Sequence, residues 1–585
     1  MRQFFKFVFA TLVGLILFWV VGFFLLAAIV AGVSSSSEKK ATIESNSVLK
    51  LDLNYAVPEQ TVNNPFAAFD FQTFKPKKAT GLTEICDALK KAATDKNVKG
   101  IYIELGVNTN GLATLEVLRD QIKEFKKSGK FVYAYGETVS QKSYYLSTVA
   151  DKIFLNPSGG MELTGFGREI MYYKNAFEKA GIEVQDFHCG AFKSAIEPYL
   201  RDKMSEPNRA QLMNIYGDVY HHFLTQIATD RKIDTATLNN AINNLQGWLP
   251  EEAKDLKLID QTAYYDEVLA AMKEKVGIAK KEDLKLIEVA KYVTTLEKNV
   301  ESGNKIAVVY AEGEIVGGDG DDGQIGGEKY AKLIRKLRLD DKVKAIVLRV
   351  NSPGGSALAS DVMWRELVLA KKDKPLVVSF GDVAASGGYF IACMGDRIFA
   401  QPNTITGSIG VFGLIPNAKK LLNDKLGITT DKVQVTEHGA MSLGTNPLNE
   451  AEKAVIQRSI EKTYREFKLR VAEGRKLDTA YIETIAQGHV WTGNQGIENK
   501  LVDEIGGLDA AIKYAATKAN LKDFRTKSYP EEKDWKAQLT ESLGDAKASI
   551  IKAEIGEEQY KIYKTIKNIT HTTGIQMRMP MEFDL

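Results

Sequence analysis

Gly381-Asp382-Val383-Ala384-Ala385-Ser386-Gly387-Gly388-Tyr389 follows the apolar run Leu376 to Phe380, and Asp396-Arg397-Ile398-Phe399 comes shortly after it. The apolar run reads as a buried strand, and a serine before paired glycines reads as a turn opening a helix. The same series occurs once before. Gly136 matches Gly381, Tyr144 matches Tyr389, and Asp151-Lys152-Ile153-Phe154 matches Asp396-Arg397-Ile398-Phe399, each pair 245 positions apart. Val98-Lys99-Gly100-Ile101 stands at the same distance from Val343-Lys344-Ala345-Ile346. Arg231-Lys232-Ile233-Asp234 then matches Arg475-Lys476-Leu477-Asp478, and Trp248 matches Trp491. Self-similarity on this scale makes the chain a tandem duplication. The halves run over 47–298 and 305–521, with Glu301-Ser302-Gly303-Asn304 as the hinge.

Within the rear half, Ile306 to Tyr310, Ala345 to Val350 and Leu376 to Phe380 read as buried strands. Lys329 to Leu337 and Ser360 to Lys371 carry helical spacing between them. Strand–helix–strand alternation predicts an α/β fold with a parallel sheet and right-handed crossovers. Asn449 to Gly474 reads as a long charged helix, and 522–585 as a lysine-rich helical tail.

The chain of 585 residues is long enough for two or more cores, and a formal charge of +2 gives no pull toward nucleic acid. Cys86, Cys189 and Cys393 are widely spaced and odd in number, which argues against a disulfide framework. The six histidines show no ligand spacing, so no metal is expected. From Phe7 to Ser37 no residue is charged. A bilayer core takes about 20 apolar residues in a helix. Residues 8–33 therefore read as one transmembrane helix, with a cleavable signal as the alternative because small residues stand around Ala28 to Gly32. Arg2 and Lys6 precede the run on a short tail, which places the N-terminus inside and everything after Ser34 outside.

Two segments of the rear half carry chemistry. Arg349-Val350-Asn351-Ser352-Pro353-Gly354-Gly355-Ser356 is a strand end running into a turn, and Ser386 sits where a strand gives way to a helix. Sites in open α/β sheets collect at the carboxyl ends of strands. Free N–H groups at a helix start favour developing negative charge, and glycines let backbone N–H groups aim at a carbonyl oxygen. Taken alone, Ser386 reads first as a helix N-cap and the glycines as turn residues.

Together, NSPGGS and GDVAASGGY resemble the serine peptidases of the ClpP/crotonase fold, most closely the signal peptide peptidase A family in its long, duplicated form. The resemblance implies a ClpP/crotonase-like domain in each half, with Ser386 as nucleophile. Gly190-Ala191-Phe192-Lys193-Ser194-Ala195-Ile196-Glu197-Pro198 resembles the family's catalytic-lysine segment, which assigns the general base to Lys193. Such a lysine must lose water to be neutral near pH 7, and Ala191, Phe192, Ala195 and Ile196 are the expected source of that dry setting. By the same resemblance Ser408 positions the lysine, and N–H groups around Gly354, Gly355 and Gly387 hold the oxyanion.

The repeat bears on this pairing. Ser386 corresponds to Gln141 and Lys193 to Ser442, so each half keeps one partner and lacks the other, as a composite site would require. The implied enzyme is a membrane-anchored endopeptidase of the inner membrane, facing the periplasm and degrading cleaved signal peptides. A homotetramer is implied, and no cofactor. A general envelope protease, an acyl-CoA enzyme of the same fold class and a non-catalytic membrane scaffold are the rival readings. Whether serine and lysine meet within one chain or between neighbours stays open at this level.

Overall fold

The computed structural model describes residues 41–61, 79–296, 302–441, 444–531 and 575–579, with the short pieces 69–70 and 75–76 and positions 6, 7, 9, 11, 13–18 and 20–22. Much of the predicted span 8–33 thus lies outside the described residues, and its described positions are helical. Among the described residues no helix is long and apolar enough to cross a membrane.

Each half builds its own sheet. In the front half six parallel strands lie in the order Gln261–Thr262, Lys152–Met161, Phe131–Val139, Val98–Leu105, Ser47–Asp52, Leu286–Glu288. The rear half repeats the plan with Arg397–Ala400, Leu376–Ala385, Val343–Ser352, Lys305–Glu312 and Arg525–Tyr529, all parallel. Between strands the chain returns through amphipathic helices. Leu112–Lys126 buries Leu112, Leu115, Leu118, Ile122 and Phe125, a three-and-four spacing that faces one side to the core. Its counterpart 245 positions on, Ala357–Asp373, buries Met363, Trp364, Leu367 and Ala370.

The duplication extends to single hydrogen bonds. Tyr144 donates to the Leu258 carbonyl and Tyr389 to the Leu501 carbonyl, both at 2.9 Å. The Ile153 and Ile398 N–H groups donate to Asp260 and Asp503. Those carboxylates pair in turn with Arg231 and Arg475.

The structure corrects the reading of the C-terminal tail. Of the predicted helical segment 522–585, residues 532–574 and 580–585 lie outside the described residues, and the described residues within it form two strands, Arg525–Tyr529 and Gln576–Arg578, and no helix. Arg525–Tyr529 pairs with Lys305–Val309, the place that Leu286–Glu288 takes beside Ser47–Asp52 in the front half. The rear repeat therefore runs past 521. Arg525-Thr526-Lys527-Ser528-Tyr529 is an edge strand held by backbone pairing, so it carries no apolar run that would announce it.

A third sheet joins the halves. Its order is Gln324–Gly326, Glu314–Val316, Gly354–Ser356, Gln576–Arg578, Val411–Asn417, Glu183–Cys189. The last of these belongs to the front repeat, and it pairs antiparallel with its rear-repeat neighbour from Glu183 opposite Asn417 to Cys189 opposite Val411.

Buried polar contacts also cross between the halves. Arg349 and Glu59 pair at 2.9 Å, both almost without exposure, and Asp382 accepts from the N–H and hydroxyl of Thr114. The Glu59 N–H reaches Glu312 at 3.3 Å. Burial, with the Glu59 carboxylate beside it, pushes the Glu312 carboxyl up to about 7. A carboxyl whose pKa is raised on folding favours the native state while protonated, so its stabilisation is lost as pH rises from about 4.5 to about 7. We expect wild type to lose on the order of 3 kcal/mol across that window and Glu312→Gln to flatten the loss, as measured by thermal melts against pH.

Candidate active site

The strand Leu376–Ala385 delivers Ser386 at its end, and the helix Gly387–Ala392 starts immediately beyond it. Ser386 sits at φ 55° and ψ −115°, a conformation that L-residues rarely adopt. Such strain costs about 1–3 kcal/mol and persists only where the surroundings over-determine it. Here the Ser386 N–H donates to the Gly407 carbonyl at 2.8 Å and its carbonyl accepts from Phe390, which clamps the turn at both ends. The side chain is fully buried.

Lys193 arrives from the other repeat. The strand Glu183–Cys189 is stitched to Val411–Asn417, and the loop after it docks onto the rear half, where the Phe192 N–H donates to the Gln487 carbonyl at 3.0 Å. Lys193 Nζ then lies 2.9 Å from Ser386 Oγ, 2.9 Å from Ser408 Oγ and 3.2 Å from the Ser408 carbonyl. The lysine is 2% exposed. Burial alone holds its pKa well below the ordinary lysine value. Serine and lysine thus meet within one chain.

The dry setting follows the flanking residues only in part: Ile196 is buried and Ala195 half-buried. Ala191 is exposed and Phe192 only half-buried, turned toward the His489 ring. The rear repeat's backbone encloses the lysine instead. A Cβ at Gly488, whose φ is +82°, would fall 2.7 Å from Lys193 Cβ, and one at Gly410 would fall 3.1 Å from Lys193 Cδ. Glycine lets the two backbones close on the aliphatic stem and leaves no room for water beside it. This wall, Gln487-Gly488-His489, went unread in the sequence. The nearby Trp248–Trp491 match marks the neighbourhood, but no motif marks the wall itself.

Ser408, at φ 50°, donates its N–H to the His489 carbonyl at 2.7 Å, which fixes the hydroxyl over the lysine. The three predicted glycines separate. Gly354, at φ +95°, lies against the start of the helix, since a Cβ on it would stand 2.6 Å from Gly387 N. Gly355 packs on Ile315 instead, where a Cβ would meet that carbonyl oxygen at 2.0 Å. In the front repeat Gln141 holds the place of Ser386. It opens an ordinary helix capped by Ser140, and its amide bonds to the Gly165 backbone. Ser442, the counterpart of Lys193, lies outside the described residues.

A buried serine hydroxyl facing a lysine of lowered pKa is a nucleophile–base geometry. The model of peptidase family S49 matches the chain twice, at residues 124–279 and 369–522. "Protease 4" of Salmonella typhi is 36% identical over 515 residues, covering 86% of this chain and 82% of that protein. "Protease 4" of Haemophilus influenzae is 34% identical, covering 85% and 83%, and "Serine protease SPPA, chloroplastic" of Arabidopsis thaliana is 32% identical, covering 85% and 74%. With one match in each half and three long relatives aligned across both, the chain belongs to peptidase family S49, in the double-length signal peptide peptidase A type.

Proposed function

We propose that this serine peptidase is a membrane-anchored endopeptidase working through Ser386 and Lys193 on signal peptides already cut from secreted proteins. The observation that carries the reading is the 2.9 Å contact between Lys193 Nζ and Ser386 Oγ in a buried setting. A neutral amine has one lone pair and two N–H groups. Ser386 O–H donates to the lone pair, and the two N–H groups donate to the Ser408 hydroxyl and carbonyl. Lys193 takes the Ser386 proton as Oγ attacks a peptide carbonyl, and the Gly387 N–H at the helix start stabilises the oxyanion, while the Gly354 N–H donates to the Ser352 hydroxyl at 3.2 Å. The lysine passes that proton to the leaving amine. It then draws a proton from the water that releases the acyl group and returns it to Ser386 Oγ as the acyl–oxygen bond breaks. Ser408 keeps the amine aimed throughout.

The anchor reading draws on the uncharged run from Phe7 to Ser37 and on the described helical positions, where Phe9, Leu15, Ile16, Leu17 and Phe18 are all exposed. An enzyme anchored in this way meets apolar peptides where they lie. We place the catalytic part on the periplasmic side of the inner membrane, in a homotetramer.

The test is labelling of detergent-solubilised full-length protein by a serine-reactive fluorophosphonate. Wild type should label and Ser386→Ala should not. Retained labelling in Ser386→Ala would sink the nucleophile assignment. Parallel turnover of signal peptides and of an unfolded protein separates the proposed substrates from general proteolysis.

A further inference from the structure

The lysine loop and the wall that encloses it come from different repeats, and one side chain touches both. Gln211 lies on the front-repeat helix Glu206–Arg231 and is 2% exposed. Its amide nitrogen donates to the Phe192 carbonyl at 3.1 Å and to the Ser194 hydroxyl at 3.2 Å, on the two residues that flank Lys193. The same nitrogen lies 3.3 Å from Asn208 Oδ1. Its amide oxygen accepts the Val490 N–H of the rear repeat at 3.2 Å. The orientation is forced. Turned over, the amide would set N–H against N–H at Val490 and oxygen against oxygen at Phe192.

Val490 leads on to the nucleophile. Its strand, Val490–Thr492, pairs antiparallel with Ile405–Gly407, and Val490 stands opposite Gly407. The Gly407 carbonyl accepts the Ser386 N–H at 2.8 Å, and the His489 carbonyl, next to Val490, accepts the Ser408 N–H at 2.7 Å. A single amide thus reaches from both neighbours of the base to the strand that holds the nucleophile turn. Two further residues of the same helix, Asn214 and Asp218, meet the rear repeat at Gln495 and Thr492, beyond the lysine loop. Counted back from the match of Arg231 with Arg475, position 211 corresponds to 455, and Val455 there is exposed. The repeat that lacks the lysine lacks the amide as well.

We infer that Gln211 is the positioning residue of the site: it sets the distance between Lys193 and Ser386 across the two repeats and keeps water off the amine. This rests on the reading of Ser386 and Lys193 as the peptidase pair. Lys193 lies between the two groups that the amide holds, so those hydrogen bonds press its stem against Gly410 and Gly488. Burial is what lowers the Lys193 pKa. The titratable groups around the loop are engaged elsewhere. Glu197 accepts from Ser205 and Asn208, the His489 ring meets Phe192 edge-on and stacks on Trp491, and the Tyr464 hydroxyl takes the Gln487 N–H. Loosening the loop therefore has a definite sign. Water returns to the amine, its pKa climbs toward the ordinary lysine value, and the neutral base forms only at higher pH.

The test compares four full-length proteins in detergent: wild type, Gln211→Met, Gln211→Leu and Asn214→Ala. Methionine and leucine fill the space of the amide but neither donate nor accept, while Asn214→Ala cuts a rear-repeat contact of the same helix. A misplacement of about 1 Å costs about 10²-fold, so kcat on an apolar peptide should fall about 10–100-fold in both Gln211 variants, with KM within about twofold of wild type. The acid limb of their kcat/KM profiles should move up by at least about one pH unit, and that of Asn214→Ala should stay at the wild-type pH. Thermal melts establish that each variant is folded. An acid limb that stays in place in both Gln211 variants overturns the inference. So does an equal shift in Asn214→Ala, or failure of both Gln211 variants to fold, because either makes the amide a structural brace. Fluorophosphonate labelling keeps the two readings apart. If Ser386→Ala still labels, the peptidase pair falls first; if labelling needs Ser386 and the acid limb does not move, only the role of Gln211 falls.

Discussion

Lys193→Met is expected to lower kcat/KM by about 10³-fold or more while leaving the protein at least as stable as wild type. General-base assistance contributes about 10²–10⁴ in rate, and Ser386 has no other buried base within hydrogen-bonding reach among the described contacts. Methionine keeps the length and the apolar stem but offers no basic nitrogen. The stability half of the expectation follows from linkage. Burial lowers the Lys193 pKa, so the unfolded chain binds that proton more tightly than the native one. Stability then rises with pH through the interval below the ordinary lysine value, and methionine removes the dependence. Activity should share the sign: protonating the amine removes its lone pair, so the acid limb of the kcat/KM profile belongs to Lys193. Peptide hydrolysis and thermal melts across pH check both parts. A variant that keeps most of its activity, or that loses both activity and fold, would count against a buried neutral base.

Arg349→Met is expected to destabilise the protein by about 3–5 kcal/mol, the largest effect on stability anticipated here. Arg349 pairs with Glu59 at 2.9 Å and donates to Ser379 and the Phe380 carbonyl, all with almost no exposure. Removing the guanidinium strands the Glu59 carboxylate in the interior, beside Glu312. Replacing both partners, as Arg349→Met/Glu59→Leu, should recover much of the loss because no uncompensated charge remains. Thermal unfolding of the single and double variants measures the difference. A double variant as weak as the single one would mean that the arginine acts through packing rather than through the pair.

Much of this architecture was legible in side-chain patterns. The 245-residue offset announced two copies of one domain, and the apolar runs at Ile306, Ala345 and Leu376 became strands because both faces of a parallel sheet are buried. Asn449, expected to open a long helix, caps Glu450–Arg475 with its side chain on the Glu452 N–H. The serine turn stood out because its glycines relieve crowding at one strand end. Lys193 was reached through the resemblance, and its complement in the repeat lent weight to it.

Pairing between distant segments is another matter. Arg525–Tyr529 and Gln576–Arg578 join sheets through their backbones, and every residue type carries the same N–H and C=O. Their polar or mixed side chains therefore leave no trace of the role. The dryness around Lys193 is likewise a property of Gly410 and Gly488, hundreds of positions away in the chain. Which residues the halves could bring to a reaction is written in residue order. That a front-repeat amine touches a rear-repeat hydroxyl follows from the pairing of Glu183–Cys189 with Val411–Asn417, because hydrogen bonds between strands depend on register in space and not on any local pattern.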